Sequence, residues 1–356
     1  MATEVVKIVD PDNGSGTDYT SLSAWEAGEQ GDLTGARDEI AVAKCRCTGG
    51  TADTTNVTID GWTTDADHYI KIWTDPSESY RHDGKWTTGN KYRLTSSAAW
   101  GIGTISIAEA YVRIIGLQID NTATNQAVGI SLNSLTSTTS SRIEIVNNIV
   151  RMTGGGGSGV HYGIVGLQKA NCYVVNNIVY DYEYGIFIDW DATAVVNCIY
   201  SNTVIDCSVS GIANYASVSV TKRAYNNIVQ GTSSEGNYVD LGWSASGNNI
   251  SEDATSPNSA YRTKTVTFVS EAGDDFHLSS SDTEARGNGA NLYNDSYYAF
   301  QNDIDGQDRG GSGATWDIGA DEYVAAASST RVPFRRMNVL LRLCLSVLTL
   351  FGRLFR

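Results

Sequence analysis

Short apolar runs separated by polar turns repeat along the middle of the chain. The sequence VNNIV at 146–150 returns at 175–179 and, as YNNIV, at 225–229, with looser copies at 201–205 and 247–250. The leading asparagine of each copy falls at 147, 176, 202, 226 and 248, so the steps are 29, 26, 24 and 22 residues. The runs are too short for helices, and their β-branched residues favour strands.

A glycine followed by isoleucine marks a second strand in each unit, at 129–130, 163–164, 185–186 and 211–212. Two short strands in every 22–29 residues predict a parallel β-solenoid, because each strand can pair with its equivalent in the previous coil about 4.8 Å away. Equivalent side chains then stack into ladders along the axis. We expect one elongated all-β domain of about seven or eight coils.

This repeat resembles the right-handed parallel β-helix superfamily, the architecture of pectate lyases, pectin-modifying hydrolases and many phage tailspikes. The resemblance covers about residues 100–255 and implies a right-handed, pectin-lyase-like β-helix. Upstream, residues 19–30 predict a short helix with Leu22 and Trp25 on one face. This segment is similar to the N-terminal cap of the same superfamily and would cover the exposed end of the first coil.

A second resemblance lies near the C-terminus. The sequences DIDGQDR at 303–309 and WDIGADEY at 316–323 resemble the terminal segment of choice-of-anchor Q surface proteins, where these elements close the helix before an anchor. The expected organisation is a cap over 1–37, β-helix coils over 38–259, a closing segment over 260–326 and a basic apolar tail over 327–356.

The charge distribution separates the tail from the rest of the chain. Residues 331–356 contain six arginines and no acid, which leaves 19 basic against 40 acidic side chains, a net charge of −21, for the first 330 residues. An acidic body disfavours nucleic-acid binding. The apolar run 337–351 is shorter than the roughly 20 residues that span a bilayer. Three interpretations of this run are open: a weak anchor, a surface-lying amphipathic segment or an out-of-frame end unrelated to the fold. Membrane contact is expected only if the run is a real part of the protein.

The expected location of the protein rests on its resemblance to the β-helix superfamily and not on a targeting sequence. The N-terminal residues have neither a basic n-region nor an apolar h-region, so no secretory signal is recognisable. The resemblance nevertheless implies an extracellular, cell-surface or virion location, and a homotrimer is compatible with it because many virus-borne β-helices trimerise. Cys172 and Cys198, 26 residues apart, are predicted to stack as buried thiols in neighbouring coils.

The repeated asparagines have two readings. A row of them could contact sugar hydroxyls on the surface. Alternatively, each amide bonds to the next coil and to turn backbone, which satisfies buried polar groups. An asparagine directly before Ile-Val in coil after coil favours the internal ladder.

The stretch 180–191 is the main candidate for carbohydrate chemistry, because aromatic rings stack on the C–H faces of sugars while carboxylates accept hydroxyl hydrogens. Tyrosines and acids alternate there, so they occupy opposite faces of an extended chain. The carbohydrate-binding candidates are Tyr182, Tyr184 and Trp190; the catalytic candidates are Asp181, Glu183, Asp189 and Asp191. Glycoside hydrolysis needs two carboxyl groups about 5–5.5 Å or about 6.5–9.5 Å apart. An exposed turn with solubilising acids is the alternative interpretation.

Family catalytic motifs do not strengthen the enzymatic interpretation. Pectin-hydrolysing β-helices carry NTD, DD, GHG and RIK elements, and here only Asp274-Asp275 occurs, beyond the repeats. Our leading hypothesis is a β-helix that binds a polysaccharide or glycan without evident catalysis. A polysaccharide lyase or glycoside hydrolase is the alternative, and a structural spacer is the second alternative. An enzyme predicts carboxylates that converge in a groove, whereas a spacer predicts side chains scattered over different faces.

No cofactor or metal is expected. Asp10–Gly14 and Asp303–Asp308 have closely spaced oxygen ligands suited to Ca²⁺. Both lack the twelve-residue spacing and terminal glutamate of an EF-hand. Ordinary Asx turns explain both sequences.

Overall fold

Three parallel sheets run side by side along the chain, each built from one strand of successive coils. The computed structural model describes residues 2–132, 135, 141–189, 195–215, 220–232, 234–240 and 242–325. Residues up to Tyr323 form one unit. Trp190, Asp191 and the run 337–351 lie outside the described residues.

The helices and strands alternate with short turns. In chain order they are β1 (Thr3–Val9), α1 (Leu22–Glu29), β2 (Glu39–Cys45), β3 (Val57–Ile59), β4 (Ile70–Trp73), β5 (Arg93–Ser96), β6 (Gly103–Ile107), β7 (Val112–Ile115), β8 (Gln118–Asn121), β9 (Val128–Ser131), β10 (Arg142–Val146), β11 (Ile149–Met152), β12 (Tyr162–Val165), β13 (Asn171–Val175), β14 (Ile178–Tyr180), β15 (Tyr184–Ile188), β16 (Val196–Tyr200), β17 (Thr203–Ile205), β18 (Ser210–Asn214), β19 (Thr221–Tyr225), β20 (Ile228–Gln230), β21 (Gly236–Asp240), β22 (Ala245–Gly247), β23 (Ile250–Ser251), β24 (Phe268–Ser270) and β25 (Asp275–Leu278). Short 3₁₀ turns occupy Leu167–Lys169, Ser259–Tyr261 and Glu271–Gly273.

The strand order is that of a parallel β-helix. Sheet A is β1-β2-β4-β7-β10-β13-β16-β19-β22, sheet B is β5-β8-β11-β14-β17-β20-β23, and sheet C is β3-β6-β9-β12-β15-β18-β21. Only β24 and β25 pair antiparallel among the described strands. The predicted all-β parallel β-helix is therefore confirmed.

Stacked aliphatic side chains fill the inside of the coils. In sheet B, Ile119, Val150, Val179, Val204 and Val229 follow one another in register, and all are fully buried. Sheets A and C supply similar rows to the same core. Since each apolar side chain lies above its equivalent, a repeat in sequence becomes a continuous core.

The glycine of the Gly-Ile motif occupies the tight corner between sheets B and C. A methyl group on Gly185 would collide with the side chain of Val204 and the carbonyl oxygen of Gly211, and Gly163 meets the same obstacle at Val179 and Gly185. The motif is therefore a packing requirement of this corner.

The predicted N-terminal helix is confirmed as α1. It begins after Ser21, whose side chain accepts a hydrogen bond from the Ala24 N–H at 3.1 Å. Leu22 and Trp25 are buried, and Trp25 stacks on Trp62 with ring centroids 5.5 Å apart. The helix thus covers the apolar interior beside the first strands.

The second asparagine of each repeat forms the predicted ladder, which we call the inner row: Asn148, Asn177, Asn202, Asn227 and Asn249. The Nδ2 of each of the first four donates to the Oδ1 of the next coil's asparagine at 2.8–3.1 Å, and the Nδ2 of Asn249 donates to Asn258 at 2.8 Å. Each of these accepting oxygens also accepts the main-chain N–H of the asparagine whose Nδ2 donates to it. All five are fully buried, so the ladder interpretation is confirmed and sugar contact by these residues is wrong.

The first position of each repeat forms a different, outer row: Gly116, Asn147, Asn176, Ser201, Asn226 and Asn248. All have positive φ, between 52° and 77°, a conformation that glycine and asparagine tolerate best. Asn202, counted among the leading asparagines from the sequence, belongs instead to the inner row, and Ser201 takes its place here. The error arose because the copy at 201–205 retains only one asparagine.

The closing segment folds back along the sides of the coils. One group of its apolar residues, including Phe268, Phe276 and Ile318, packs on outward-facing Ile149, Ile178 and Ile228 of sheet B. Leu292 and Trp316 pack on Tyr173 and Tyr200 of sheet A. The faces that would otherwise expose large apolar residues are therefore covered.

The two halves of the C-terminal motif bind each other. Asp303 accepts the main-chain N–H of Gln307 at 2.7 Å and that of Glu322 at 3.0 Å. Buried Arg309 donates to Glu322 at 3.0 Å, to the carbonyls of Gly319 and Ala320, and to Asn176 in the outer row. The motif therefore locks the closing segment together and fastens it to the coils.

The predicted stack of Cys172 and Cys198 is wrong by one residue. Cys172 pairs in register with Asn197, and Tyr173 pairs with Cys198. Cys172 faces the interior of the coils, whereas Cys198 lies beneath the closing segment. Both thiols are free and buried. Because successive positions along a strand point to opposite faces of the sheet, the offset of one residue places the two thiols on opposite sides of sheet A.

Candidate functional site

The predicted site at 180–191 divides between different neighbourhoods. Asp181, directly after β14, faces the carboxylates of Asp206 and Asp274. Glu183 and Asp189 lie near the ring of Tyr162 on sheet C instead. The alternation of acids and aromatics therefore does not create one site, because the chain turns the corner from sheet B to sheet C at this point.

Tyr182 is removed from the carbohydrate-binding candidates by its position. Its side chain is 1% exposed and belongs to the interior cluster of the coils. The hydroxyl donates to the carbonyl of Arg151 at 2.8 Å. A ring enclosed on all sides cannot stack on a sugar, so this residue has a structural role at the corner.

Carboxylates collect in an acidic patch, defined by Asp181, Asp206, Asp274, Arg151 and Trp86, where the closing segment meets sheet B. The Arg151 guanidinium lies 3.7 Å from the centre of the Trp86 ring and 3.6 Å from Asp274. Asp181 and Asp206 directly follow the paired residues Tyr180 and Ile205 on adjacent coils. Neighbouring parallel strands are about 4.8 Å apart, so the two carboxylates project side by side.

The surroundings of the acidic patch raise the pKa values of Asp181 and Asp206. Burial, followed by the charges of Asp206 and Asp274, raises the pKa of Asp181 to about 6. Burial and the charges of Glu252 and Asp274 also raise the pKa of Asp206. A carboxyl group with a raised pKa can hold a proton near neutral pH, as a general acid must.

Exposed apolar and aromatic residues form an aromatic strip, defined by Trp100, Ile102, Val160, Tyr162 and Tyr184. Trp100 is 69% exposed, Ile102 50% and Val160 37%. Tyr162 and Tyr184, paired in register on β12 and β15, are half-buried and stack with ring centroids 5.4 Å apart. Main-chain hydrogen bonds join the turns that carry these residues from coil to coil, so the strip runs along the axis.

Acidic groups accompany the strip. Glu183 accepts the main-chain N–H of His161 at 3.0 Å, which fixes its carboxylate beside Tyr162 and Tyr184. One coil further, the Tyr215 hydroxyl donates to exposed Glu235 at 2.6 Å. The strip therefore combines ring edges and hydroxyl groups with fixed hydrogen-bond acceptors.

The sequence did not predict Trp100, Ile102 and Val160 of the aromatic strip. It also did not predict Asp206 of the acidic patch. Trp100 has φ of 62°, which is rare for a bulky residue and worth notice in a surface turn. No repeat contains it, so the sequence offers no periodic signal. Asp206 carried a usable signal, because it follows Ile205 just as Asp181 follows Tyr180 in the previous unit.

A third cluster lies within the closing segment. Ligand atoms of His277, Asp305 and Asp321 lie within 4.8 Å of one another, as a metal site would require. However, His277 Nδ1 is 2.5 Å from Asp275 and its Nε2 is 3.6 Å from Asp305. Although burial opposes the charged form, Asp305, Asp321 and Asp275 raise the pKa of His277 to about 9. The imidazole already pairs with the carboxylates of Asp275 and Asp305, so we interpret the cluster as an ion-pair network.

The other calcium candidate forms turns. Asp10 accepts the main-chain N–H groups of Asp12 and Gly14 at 3.1 Å and the Thr48 hydroxyl at 2.7 Å. Asp12 in turn accepts the N–H of Gly49 at 2.6 Å. These carboxylates tie the first turn to the bend that follows β2, in agreement with the Asx-turn interpretation.

The geometry first defines the class of protein, a parallel β-helix with a closing segment on its flank. No protein-family model and no curated protein matches the chain. Among solved structures, the chain is similar to the crystal structure of pectate lyase Pel9A, with 12% sequence identity and a TM-score of 0.45. The match covers 91% of this chain and 97% of that one. No helix in the described part of the chain is long and apolar enough to cross a bilayer.

Proposed function

We propose that this protein binds a polysaccharide or glycan along the aromatic strip. The observation that carries the proposal is the exposure of Trp100, Ile102 and Val160 on turns that main-chain hydrogen bonds link from coil to coil, followed by the stacked pair Tyr162–Tyr184. Large exposed apolar residues in a row are uncommon on a soluble surface and mark interaction sites. In this proposal the protein acts on a cell surface or a virion, where such polymers are accessible.

The form of the strip favours an extended ligand. It crosses several coils at about 4.8 Å per coil, so it presents repeated contacts to a polymer. The indole of Trp100 offers a free face to the C–H groups of a sugar, while Glu183 and Glu235 accept hydroxyl hydrogens. The net charge of −15 favours a neutral or cationic glycan over a polyanion.

Affinity electrophoresis and a glycan array with the wild type and Trp100→Ala test this proposal. We expect the substitution to weaken polymer binding about tenfold or more, since one aromatic contact contributes on the order of 1.4 kcal/mol. Val269→Ala, which removes an exposed apolar side chain from β24 in the closing segment, is the control and should bind normally. Equal binding by wild type and Trp100→Ala would exclude the strip as the site.

A second candidate function is glycoside hydrolysis at the acidic patch. The raised pKa of Asp181, about 6, suits a general acid, and the neighbouring carboxylate of Asp206 suits the nucleophile of a retaining mechanism. The two acids follow paired residues on adjacent strands, which are about 4.8 Å apart, and this mechanism needs carboxyl groups about 5–5.5 Å apart. Arg151 and Trp86 would contact the substrate on the flank of the pair.

Incubation with a panel of polysaccharides, assayed for reducing ends and for unsaturated products, tests this candidate. A hydrolase predicts new reducing ends without unsaturation, and Asp181→Asn should lower the rate at least a hundredfold while the melting temperature is unchanged. Unsaturated products would indicate a lyase. Binding in the absence of any product would leave the polysaccharide-binding function alone.

A further inference from the structure

The surface along the aromatic strip changes character from coil to coil. The first turns present large exposed apolar side chains, among them Trp100 and Val160. The turns of later coils carry Glu183 and Glu235. These later turns stack on one another, since the Val209 N–H donates to the carbonyl of Glu183 at 3.0 Å and the Glu235 N–H donates to that of Val209 at 2.9 Å. The surface therefore has an apolar half and an acidic half.

We call the second half the acidic end, defined by Glu183, Glu235, Tyr184 and Tyr215. Glu183 accepts the main-chain N–H of His161 at 3.0 Å, and Glu235 accepts the Tyr215 hydroxyl at 2.6 Å. Within the described part of the chain, no lysine, arginine or histidine side chain pairs with either glutamate. Both donors are uncharged, so the two negative charges are not neutralised by these contacts.

Acids elsewhere on the coils are held differently. Glu144 on sheet A pairs with Arg142 at 2.7 Å, and Asp120 on sheet B pairs with Arg151 at 3.2 Å. In both places the protein supplies the counter-charge from its own side chains. At the acidic end the counter-charge is left to a partner outside the chain, and a cation would be attracted there.

The tyrosines at the acidic end also suit a cation. Tyr184 stacks on Tyr162 with ring centroids 5.4 Å apart. Burial, followed by the charges of Glu235 and Glu183, raises the pKa of Tyr184. Both carboxylates therefore act on the same ring, although they belong to different coils. An ammonium group near this ring would be attracted by the carboxylates and by the electrons of the ring face.

The two halves together specify the chemistry of the ligand. Exposed rings and aliphatic side chains favour the C–H faces of sugar rings. Two carboxylates without counter-ions favour ammonium groups and repel uronates or sulfates. A polymer of sugars that carry free amino groups has both features, and it can follow the stacked turns along the axis.

We propose that the aromatic strip binds a glycan whose sugars carry free amino groups, with Glu183 and Glu235 pairing with the ammonium groups while Trp100 stacks on a sugar ring. The inference rests on the proposed carbohydrate function and deepens it. It selects the cationic class from the neutral and cationic glycans that a net charge of −15 favours.

Calorimetric titration with a tetramer of β-1,4-linked glucosamine and with its fully N-acetylated form tests the proposal, because the two differ only at the amino group. At about pH 5.5 the glutamates and the amino groups are both charged, since their ordinary pKa values are about 4.3 and 7.7–8.0. The glucosamine tetramer should bind at least about tenfold more tightly than the acetylated one, and only its affinity should fall steeply with added salt.

Glu183→Gln and Glu235→Gln keep a hydrogen-bond acceptor at each position but remove the charge. Each should weaken the glucosamine tetramer about fivefold to tenfold, with the acetylated tetramer and the melting temperature unchanged. Asp67→Asn is the matched control, because it removes one exposed charge from the turn between β3 and β4, which joins sheet C to sheet A at a different corner. It should change neither affinity by more than about twofold.

The outcomes distinguish this proposal from the proposed function itself. Equal binding of the two tetramers, or Trp100-dependent binding of a neutral polymer alone, would overturn the cationic class and leave the strip as a glycan site. An equal loss of affinity in Asp67→Asn and Glu235→Gln would show attraction to the acidic body as a whole and would also overturn it. Glucosamine binding that needs Glu235 but not Trp100 would retain the acidic end and reject the strip. Tighter binding of a lysine oligomer of equal charge would indicate a basic protein partner and overturn both.

Discussion

The inner and outer rows consist of neighbouring residues, often two asparagines in succession, yet they bind different partners. Asn177 of the inner row is fully buried and joined to Asn148 and Asn202 by amide hydrogen bonds. Asn176, one residue earlier, reaches out to the closing segment. The inner row therefore holds the coils to one another, and the outer row holds other groups to the coils.

This difference separates structural from functional information in one repeated motif. Every described member of the inner row has its partners, so its amides are unavailable to a ligand. The outer row has three asparagines joined to the closing segment, Asn176, Asn226 and Asn248, and two members, Asn147 and Ser201, whose buried side-chain oxygens have no hydrogen-bond partner. The same repeated motif therefore carries two different hydrogen-bonding roles, one inside the coils and one on their flank.

The largest expected effect is at the inner row. Asn202→Leu keeps the approximate volume but leaves the buried main-chain N–H of Asn177 without its acceptor, now 3.0 Å away. Because an orphaned buried donor costs about 1–3 kcal/mol and a further amide bond is lost, we expect the free energy of unfolding to fall by about 2–4 kcal/mol. Urea denaturation followed by circular dichroism measures this.

Asn147→Gly is the natural counterpart in the outer row. It removes an oxygen that has no partner, so its free energy of unfolding should stay within about 1 kcal/mol of the wild type, the usual effect of added backbone freedom. If Asn202→Leu were no more destabilising than Asn147→Gly, the distinction between the two rows would be wrong.

Periodicity predicted the coils, the Asn ladder and the short N-terminal helix, because each depends on residues that repeat or lie within one turn. It did not predict which neighbours meet across coils. Asp181 and Glu183 are two residues apart but face different surroundings, whereas Asp181 and Asp274 come together from distant parts of the chain. Tyr182 looked like its exposed neighbours until the corner between sheets B and C placed it inside.

The closing segment should respond to pH, whereas the uncharged inner row should not. The pKa of His277 is raised to about 9 by Asp305, Asp321 and Asp275 against the effect of burial. Its contribution to stability is therefore fully present below about pH 6.5 and is lost as pH rises through 9. The upper limit of this contribution is about 3 kcal/mol, since a shift of one pKa unit corresponds to about 1.4 kcal/mol.

Unfolding free energies measured between pH 6 and 10 for the wild type and His277→Gln check this prediction. The variant should be less stable near pH 7 and show a flatter dependence, so that the two curves converge above pH 9. Hydrogen exchange at pH-corrected rates should locate the wild-type loss in the closing segment around β24 and β25, while the inner row stays protected. A uniform loss of protection would contradict the assignment to His277.

A smaller destabilisation than at the inner row is expected at the occupied part of the outer row. Asn226→Gly keeps the positive φ but removes both amide bonds to Ala290, which should lower the free energy of unfolding by about 1–2 kcal/mol. The loss should be local, with faster proteolysis or hydrogen exchange around residues 286–295 and little change in the coils. Because β-helix coils contact only their neighbours, a perturbation on the flank need not spread along the axis. Faster exchange throughout the coils would show instead that the outer row contributes to coil stacking, and the separation of roles between the two rows would fail.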